Sequence, residues 1–328
     1  MVTILSDVLN RQKSAILPAL KSVSDETRVR ILHILSYGDF SVNEIIEILS
    51  MGQSRISRHL KILADAGLLK SRREGSWVYY GLVEKNQDFA AELTNLIISY
   101  IEDLPSRETD QRNANIVLGK RAERSQEFFN NLGEKWEKVQ EEFINSNIYR
   151  AKLVDSIPAN TNLVLDLGCG PGVMIPYLLE RSEKVLAVDS SSVMIEAVKK
   201  EYKNDKRVQV EYAHLENLPI KSGTADCVVA SMVLHHISDP IKVLNEVARC
   251  LSIGGIFSIV DLVKHNQEFM REKYADLWLG FETKILINWL VSSGFEVIVD
   301  EEIQTDSVFK IIFIKAKKKE DLNVRNSN

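Results

Sequence analysis

The spacing of apolar positions changes character along the chain. From Ile16 to about Tyr100 they recur at helical intervals in short runs, predicting helices over Arg28–Leu35, Val42–Leu49 and Gln53–Ala66. Two short strands are then predicted either side of Glu74-Gly75-Ser76, a turn-forming triplet. Helical spacing returns from Asp88 to Glu102 through Leu93, Leu96, Ile97 and Tyr100, and Pro105 ends it. The pattern describes a small α+β unit.

Residues 106 to about 120 are polar and read as a linker, and Gly119–Phe143, with Phe128, Phe129, Trp136 and Phe143, reads as a charged lead-in helix. Beyond Pro158 apolar strands alternate with helical stretches: Leu163–Leu167, Val185–Val188, Val208–Tyr212, Ala225–Ala230 and Gly255–Asp261. That alternation predicts a parallel α/β sheet built from βαβ units. Phe295–Asp300 and Val308–Ala316 predict an antiparallel pair at one edge, with fraying from Lys315 onward. The expected division is 1–105, a linker and lead-in helix over 106–145, a second domain over 146–317, and a tail over 318–328.

The length of 328 residues suits two domains rather than one. With 45% hydrophobic and 27% charged residues the chain is expected to fold throughout. No apolar run approaches the ~20 residues a bilayer span needs, and Met1–Arg11 lacks the order of a signal peptide, so a cytoplasmic protein without a membrane partner is expected. Cys169, Cys227 and Cys250 show no CxxC spacing; they read as reduced core thiols, and no metal set is expected. The net charge of −5 hides a basic patch: Arg55, Arg58, Lys61, Lys70, Arg72 and Arg73 lie close together against the single acid Asp65.

On a helix, Ser54, Ser57, Arg58 and Lys61 fall on one stripe, flanked by Gln53 and Arg55, while Ile56, Leu60 and Leu63 fall opposite. The free stripe offers hydroxyls and cations, which suit phosphates and base edges in a major groove. The helix alone reads equally well as a solvated face. The short Ser50-Met51-Gly52 connection, and a hairpin with Arg72 and Arg73 on one strand and Trp77–Tyr80 on the other, favour a helix-turn-helix with a wing. His59 falls nearer the packing face and reads as structural.

This segment resembles the ArsR family of winged-helix regulators, through Ser24–Arg28 with Ile31-Leu32, Gln53–Lys61, Ala66–Leu69 and Arg73–Tyr80. The resemblance implies a homodimer on a palindromic double-stranded operator, with the helix from Asp88 and the N-terminal helix at the dimer interface. Arsenic-sensing members carry a cysteine pair where this chain has Phe40–Ile45, so thiolate metal sensing is not expected.

In the second domain a strand runs into Asp166-Leu-Gly168-Cys169-Gly170-Pro-Gly172, and Asp189 closes the next strand. Glycines let backbone approach a ligand, and an acid at the second strand's end can take ribose hydroxyls. Val173 stands where a dinucleotide fingerprint needs Gly or Ala, so the loop suits a cofactor without a pyrophosphate.

The stretch Asp166–Ala316 resembles class I methyltransferases of the ubiquinone and menaquinone type, with a Rossmann-like fold. The matching residues are Val164–Gly172, Val188-Asp189 with Met194, Leu218–Ile220, Ala225–Val229, Leu234–His236, and Arg249–Leu251 leading to Gly254-Gly255. The resemblance implies S-adenosyl-L-methionine or S-adenosyl-L-homocysteine as cofactor. Asp166, Gly168, Cys169, Gly170 and Gly172 would surround its methionine part, Asp189 its ribose, and Ser190 and Met194 its adenine, with Ser231 after the fourth strand. Where the family has a Gly-Asp pair this chain has Ala213-His214, leaving the Leu215 amide for the adenine edge. Asp261, His265, Glu268, Met270-Arg271 and Ala275–Phe281, with Phe128-Phe129 and Trp136, resemble a subgroup in which both domains are joined. Regulators of the methionine and S-adenosylmethionine cycle that answer to S-adenosyl-L-homocysteine are known with this domain pair, which the resemblance makes an expectation here.

Two functions remain open at this point. One is a DNA-binding regulator that reads the cofactor as an effector. The other is an active methyltransferase acting on a small-molecule acceptor, in which His235 or His236 removes a proton.

Overall fold

The computed structural model describes residues 16–74, 77–83, 89–133, 136–142, 144–267 and 269–320. It divides into two compact units at Lys120/Arg121.

In the first unit, the Asp25 side chain accepts from the Arg28 amide and starts the helix Glu26–Leu35. Ser41 and Glu44 form a reciprocal capping box on Val42–Leu49, and left-handed Ser50 ends that helix, turning the chain toward Gln53–Asp65. Ile31, Leu32, Ile45, Ile48, Ile56, Leu60 and Leu63 meet in the core that these helices share. Strands β1 (Phe40–Ser41), β2 (Leu69–Glu74) and β3 (Trp77–Leu82) form an antiparallel sheet in the order β1-β3-β2. Arg72 lies opposite Tyr79 and Arg73 opposite Val78. Gly75 and Ser76 of the expected turn, and Asp88 at the expected helix start, lie outside the described residues; the helix described there is Phe89–Ser99.

The expected linker is a helix. Arg107–Leu132 is continuous through the polar stretch, and its Ala114, Val117 and Leu118 enter the first unit's core. The buried Asp110 carboxylate receives both Nε and Nη2 of Arg30, at 2.8 and 2.7 Å, and Asn113 donates to the Ile48 carbonyl. Hydropathy hid this because much of the anchoring is polar. The boundary therefore falls at Lys120/Arg121 rather than at Pro105. The expected lead-in helix is likewise divided: Trp136–Glu141 forms a separate short helix, and Phe143 lies outside the described residues.

The second unit holds a seven-stranded sheet, β4 (Thr161–Leu167), β5 (Ser182–Asp189), β6 (Val208–Tyr212), β7 (Ala225–Ser231), β8 (Leu251–Leu262), β9 (Phe295–Gln304) and β10 (Lys310–Lys318). The order is β6-β5-β4-β7-β8-β10-β9, parallel from β6 to β8, with β10 antiparallel to both neighbours. Alternate residues feed opposite layers. Val164, Val185 and Cys227 pack with Leu153, Ile175 and Val198, while Leu165, Leu186 and Val228 pack with Leu244, Val247 and Leu286. Strand β10 runs past the residue where fraying was expected, and Lys318 still pairs with Phe295.

Candidate functional site

The carboxyl ends of β4, β5 and β7 place Asp166, Asp189 and Ser231 around one cavity, where parallel α/β sheets bind ligands. Every residue expected to hold the cofactor lines it except Gly172. The cavity is a cleft open to solvent on one side, with these polar groups converging on it.

The glycines divide the work. Gly170 has φ +52°, and a Cβ there would meet open space, so the loop leaves room beside it. Its amide donates to Asp189 Oδ2 at 2.9 Å, while Ser191 N donates to Oδ1 at 2.8 Å. Asp189 is thereby aimed, with lone pairs left for hydroxyl donors. Gly172 has φ +87°, and a Cβ there would press on Ile175 and Val198 at 3.0 Å, so its smallness serves packing of the loop on the sheet.

Asp166 is 1% exposed, and its Oδ2 has no hydrogen-bond partner. Burial, reinforced by the charge of Asp189, pushes its carboxyl up to about 7. A buried acceptor in this state calls for a cationic donor, and an α-ammonium group supplies one. The residues thus fit the amino-acid and ribose parts of an S-adenosyl ligand.

Other walls of the cavity carried little sequence signal. Gln126 donates to the Ser190 carbonyl and, at 2.9 Å, to Tyr212 Oη. Phe129 stacks edge-on against Trp136 and His236, with centroids 5.1 and 4.7 Å apart. Gln126, Phe129 and Trp136 come from the polar helix Arg107–Leu132 and the short helix after it, where the aromatics and the resemblance they carry were the clue.

The two histidines separate in role. His236 lines the cavity, and burial together with the neighbouring His235 holds it well below its usual range, so its ring is neutral. His235 is not among the lining residues. Its Nδ1 donates to Asp261 Oδ1 at 2.7 Å, and its carbonyl accepts from Leu277 and Trp278. Burial pulls His235 down, but the Asp261 and Asp276 carboxylates outweigh it and carry it up to about 9. All three cysteines are buried, and desolvation raises each thiol, Cys227 to about 12 and Cys250 to about 11.

In the first unit, Gln53, Ser54, Arg55, Ser57, Arg58 and Lys61 are all exposed on one helix, while Ile56, His59, Leu60 and Leu63 are buried. Arg55 is partly committed, donating to Thr27 Oγ1 at 3.0 Å. Arg73 is exposed, but Arg72 is half-buried, 3.4 Å from Asp39 and packed over the Tyr79 ring. His59 sits between Asp25 and Arg28, at 3.6 and 3.5 Å.

Comparison with known proteins assigns the two halves separately. The family described as "Bacterial regulatory protein, arsR family" matches residues 25–71, and the family described as "Methyltransferase domain" matches residues 165–259. An uncharacterized 37.1 kDa protein in transposon Tn4556 of Streptomyces fradiae is 35% identical over 111 residues, 33% of this chain and 32% of its own. The arsenic resistance transcriptional regulator ArsR2 of Pseudomonas putida is 51% identical over 63 residues, 19% of this chain and 55% of its own. An uncharacterized methyltransferase of Mycobacterium bovis is 30% identical over 122 residues, 36% of this chain and 60% of its own. The chain thus spans from about a third to three fifths of these relatives' length. A methyltransferase solved in complex with the Haloferax volcanii Trm112 activator shares the fold, with TM-score 0.51 at 15% identity over 58% of this chain and 98% of that one. Among the described residues no helix is long and apolar enough to cross a membrane.

Proposed function

We propose that this union of an arsR-type DNA-binding domain with a methyltransferase domain is a cytoplasmic transcriptional regulator. It works as a homodimer on a palindromic operator, and its effector is S-adenosyl-L-methionine or S-adenosyl-L-homocysteine. The observation that carries the effector is the unpartnered, buried Asp166 Oδ2 in one cavity with Asp189. Asp166 receives the ammonium, Asp189 the ribose hydroxyls, and Ser190, Met194 and the Leu215 amide beside His214 form the adenine side. On the cofactor side, Gln126 and Phe129 add to the wall of this cavity.

The test uses the full chain on a duplex it has selected from random sequence. Saturating S-adenosyl-L-homocysteine or S-adenosyl-L-methionine shifts its operator affinity, read by fluorescence anisotropy, and Asp189→Ala removes the shift. An affinity indifferent to both ligands rejects the effector role.

A second reading, methyl transfer to a small-molecule acceptor, rests on the neutral His236 ring at the cavity. The cofactor supplies the electrophilic methyl group, and His236 takes the acceptor's proton. Turnover lost in His236→Gln while S-adenosyl-L-homocysteine still binds favours it.

A further inference from the structure

Behind the cavity wall, two segments of the second unit bring His235, His236 and Asp276 together with their ligand atoms within 4.8 Å of one another. His235 Nε2 lies 3.9 Å and His236 Nδ1 3.7 Å from Asp276 Oδ1. All three residues are buried, Asp276 at 2% exposure. Neither Asp276 oxygen has a hydrogen-bond partner, and neither does His236 Nε2. A buried carboxylate left this way is costly unless something else coordinates it.

The surroundings prepare these groups rather than quench them. Because a carboxylate can only accept, the 2.7 Å contact with Asp261 keeps a proton on His235 Nδ1 and turns Nε2 toward Asp276, where a metal ion would take the place of the second ring proton. Asp261 is itself fixed by the Leu234 and Leu262 amides. A carboxylate behind a histidine, setting its tautomer and ring plane, is the support that metal-binding histidines carry. Asp276 is delivered by Ala275, which holds φ +59° without being glycine, a strained conformation found where function demands a placement. The next two amides, Leu277 and Trp278, bond back to the His235 carbonyl and lock the turn in place.

We propose that His235, His236 and Asp276 bind one divalent first-row transition ion, of the zinc class, through two imidazole nitrogens and one carboxylate oxygen. This donor set suits zinc and its neighbours and is poor for magnesium or calcium, which take oxygen shells. Bonds of about 2.1 Å in a tetrahedron bring ligands roughly 3.4 Å apart, so a pair at the 4.8 Å limit must close by about 1.4 Å. Binding costs His236 its 3.4 Å contact with the Ala275 carbonyl. Three protein ligands leave a position for an outside oxygen, as reactive rather than closed sites do. Since His236 also lines the cavity, the ion joins the cavity wall to the segment that follows β8.

The experiment needs no cofactor or DNA, so it succeeds or fails independently of the effector reading. Tag-free full-length chain, stripped with a chelator and dialysed, is titrated with Zn²⁺ by calorimetry and with Co²⁺ by visible absorption. The expected result is one equivalent bound, with Co²⁺ bands of a low-coordinate nitrogen–oxygen site, and affinity reduced at least 100-fold in Asp276→Asn and His236→Gln. Asp261→Asn, which touches no ion, weakens binding by about 10- to 100-fold. Wild-type protein that takes up neither metal stoichiometrically overturns the proposal whether or not the variants fold, leaving a His235 cation between two carboxylates. Folded Asp276→Asn that binds like wild type overturns it too.

Discussion

The guanidinium of Arg30 and the carboxylate of Asp110, 80 positions apart in the chain, are joined by two parallel hydrogen bonds in the core-facing side of the first unit. Asp110 is fully buried, so removing it leaves Arg30 largely desolvated and unpaired. Asp110→Ala is expected to destabilise that unit by roughly 3 kcal/mol. Chemical denaturation followed by far-ultraviolet circular dichroism checks this, and a loss within the ordinary range of surface substitutions would show that the polar clasp does not hold the helix.

Asp166, as the proposed ammonium partner, should make ligand binding depend on pH. Its carboxyl is raised to about 7, above the usual value of roughly 4, so in the ligand-free protein the folded form holds the proton more firmly than the unfolded chain. Its contribution to stability is therefore full at low pH and is lost as pH rises through 7. An ammonium ligand needs the ionised carboxylate, so binding runs the other way. S-adenosyl-L-homocysteine affinity should rise roughly tenfold from pH 6 to pH 8, and Asp166→Asn should be weak and flat over that range. Calorimetry at both pH values decides; a flat wild-type profile excludes Asp166 as the ammonium partner.

On the helix Gln53–Asp65, proposed to enter the groove, Arg58 and Lys61 are exposed and face the same way as Ser54 and Ser57. Arg58→Ala or Lys61→Ala should weaken operator binding, by about 1 kcal/mol or more for a base contact, and loss of a phosphate contact at Lys61 should lower the salt slope by about 1. Arg72→Ala, by contrast, removes the contacts with Asp39 and Tyr79 and should lower the unfolding midpoint. Unchanged affinity and salt slope in the first two variants would remove this helix from the groove.

The proposed homodimer has a candidate surface. Leu17 and Leu20, in the helical residues 16–22, are 63% and 44% exposed, and Leu96 and Tyr100 near the end of Phe89–Ser99 are 56% and 70% exposed. Leu20→Asp combined with Leu96→Asp should convert a dimer to monomers in sedimentation velocity and cost operator affinity along with it. A dimer that persists in the double variant places the interface elsewhere.

Gly172 and Gly170 should separate by assay. Both glycines hold positive φ, so alanine at either strains the backbone; Gly172→Ala also presses a methyl group on Ile175 and Val198 and should lower stability more, whereas Gly170→Ala, with open space beside it, should lower affinity for S-adenosyl-L-homocysteine more. Thermal unfolding without ligand and calorimetry with it distinguish the two, and matching effects in both variants would undo the assignment.

Local pattern determined what depends on neighbours in sequence. The stripe of Ser54, Ser57, Arg58 and Lys61 opposite Ile56, Leu60 and Leu63 follows from helical periodicity, and the parallel sheet follows from apolar runs set between helices. The glycine loop with Asp166 and Asp189 was legible because backbone clearance and hydroxyl recognition demand those residue types at strand ends. Tertiary structure decided what depends on distant partners. Residues 107–120 look like a solvated linker until Arg30 meets Asp110, since hydropathy does not register an ionic clasp. Gly172 resembles its neighbours in the loop, yet only packing shows that its missing Cβ is required by Ile175 and Val198. His235 and His236 are adjacent in the chain; only the folded arrangement puts Asp261 behind one and the cavity before the other, because burial and partners, not residue type, set what an imidazole does.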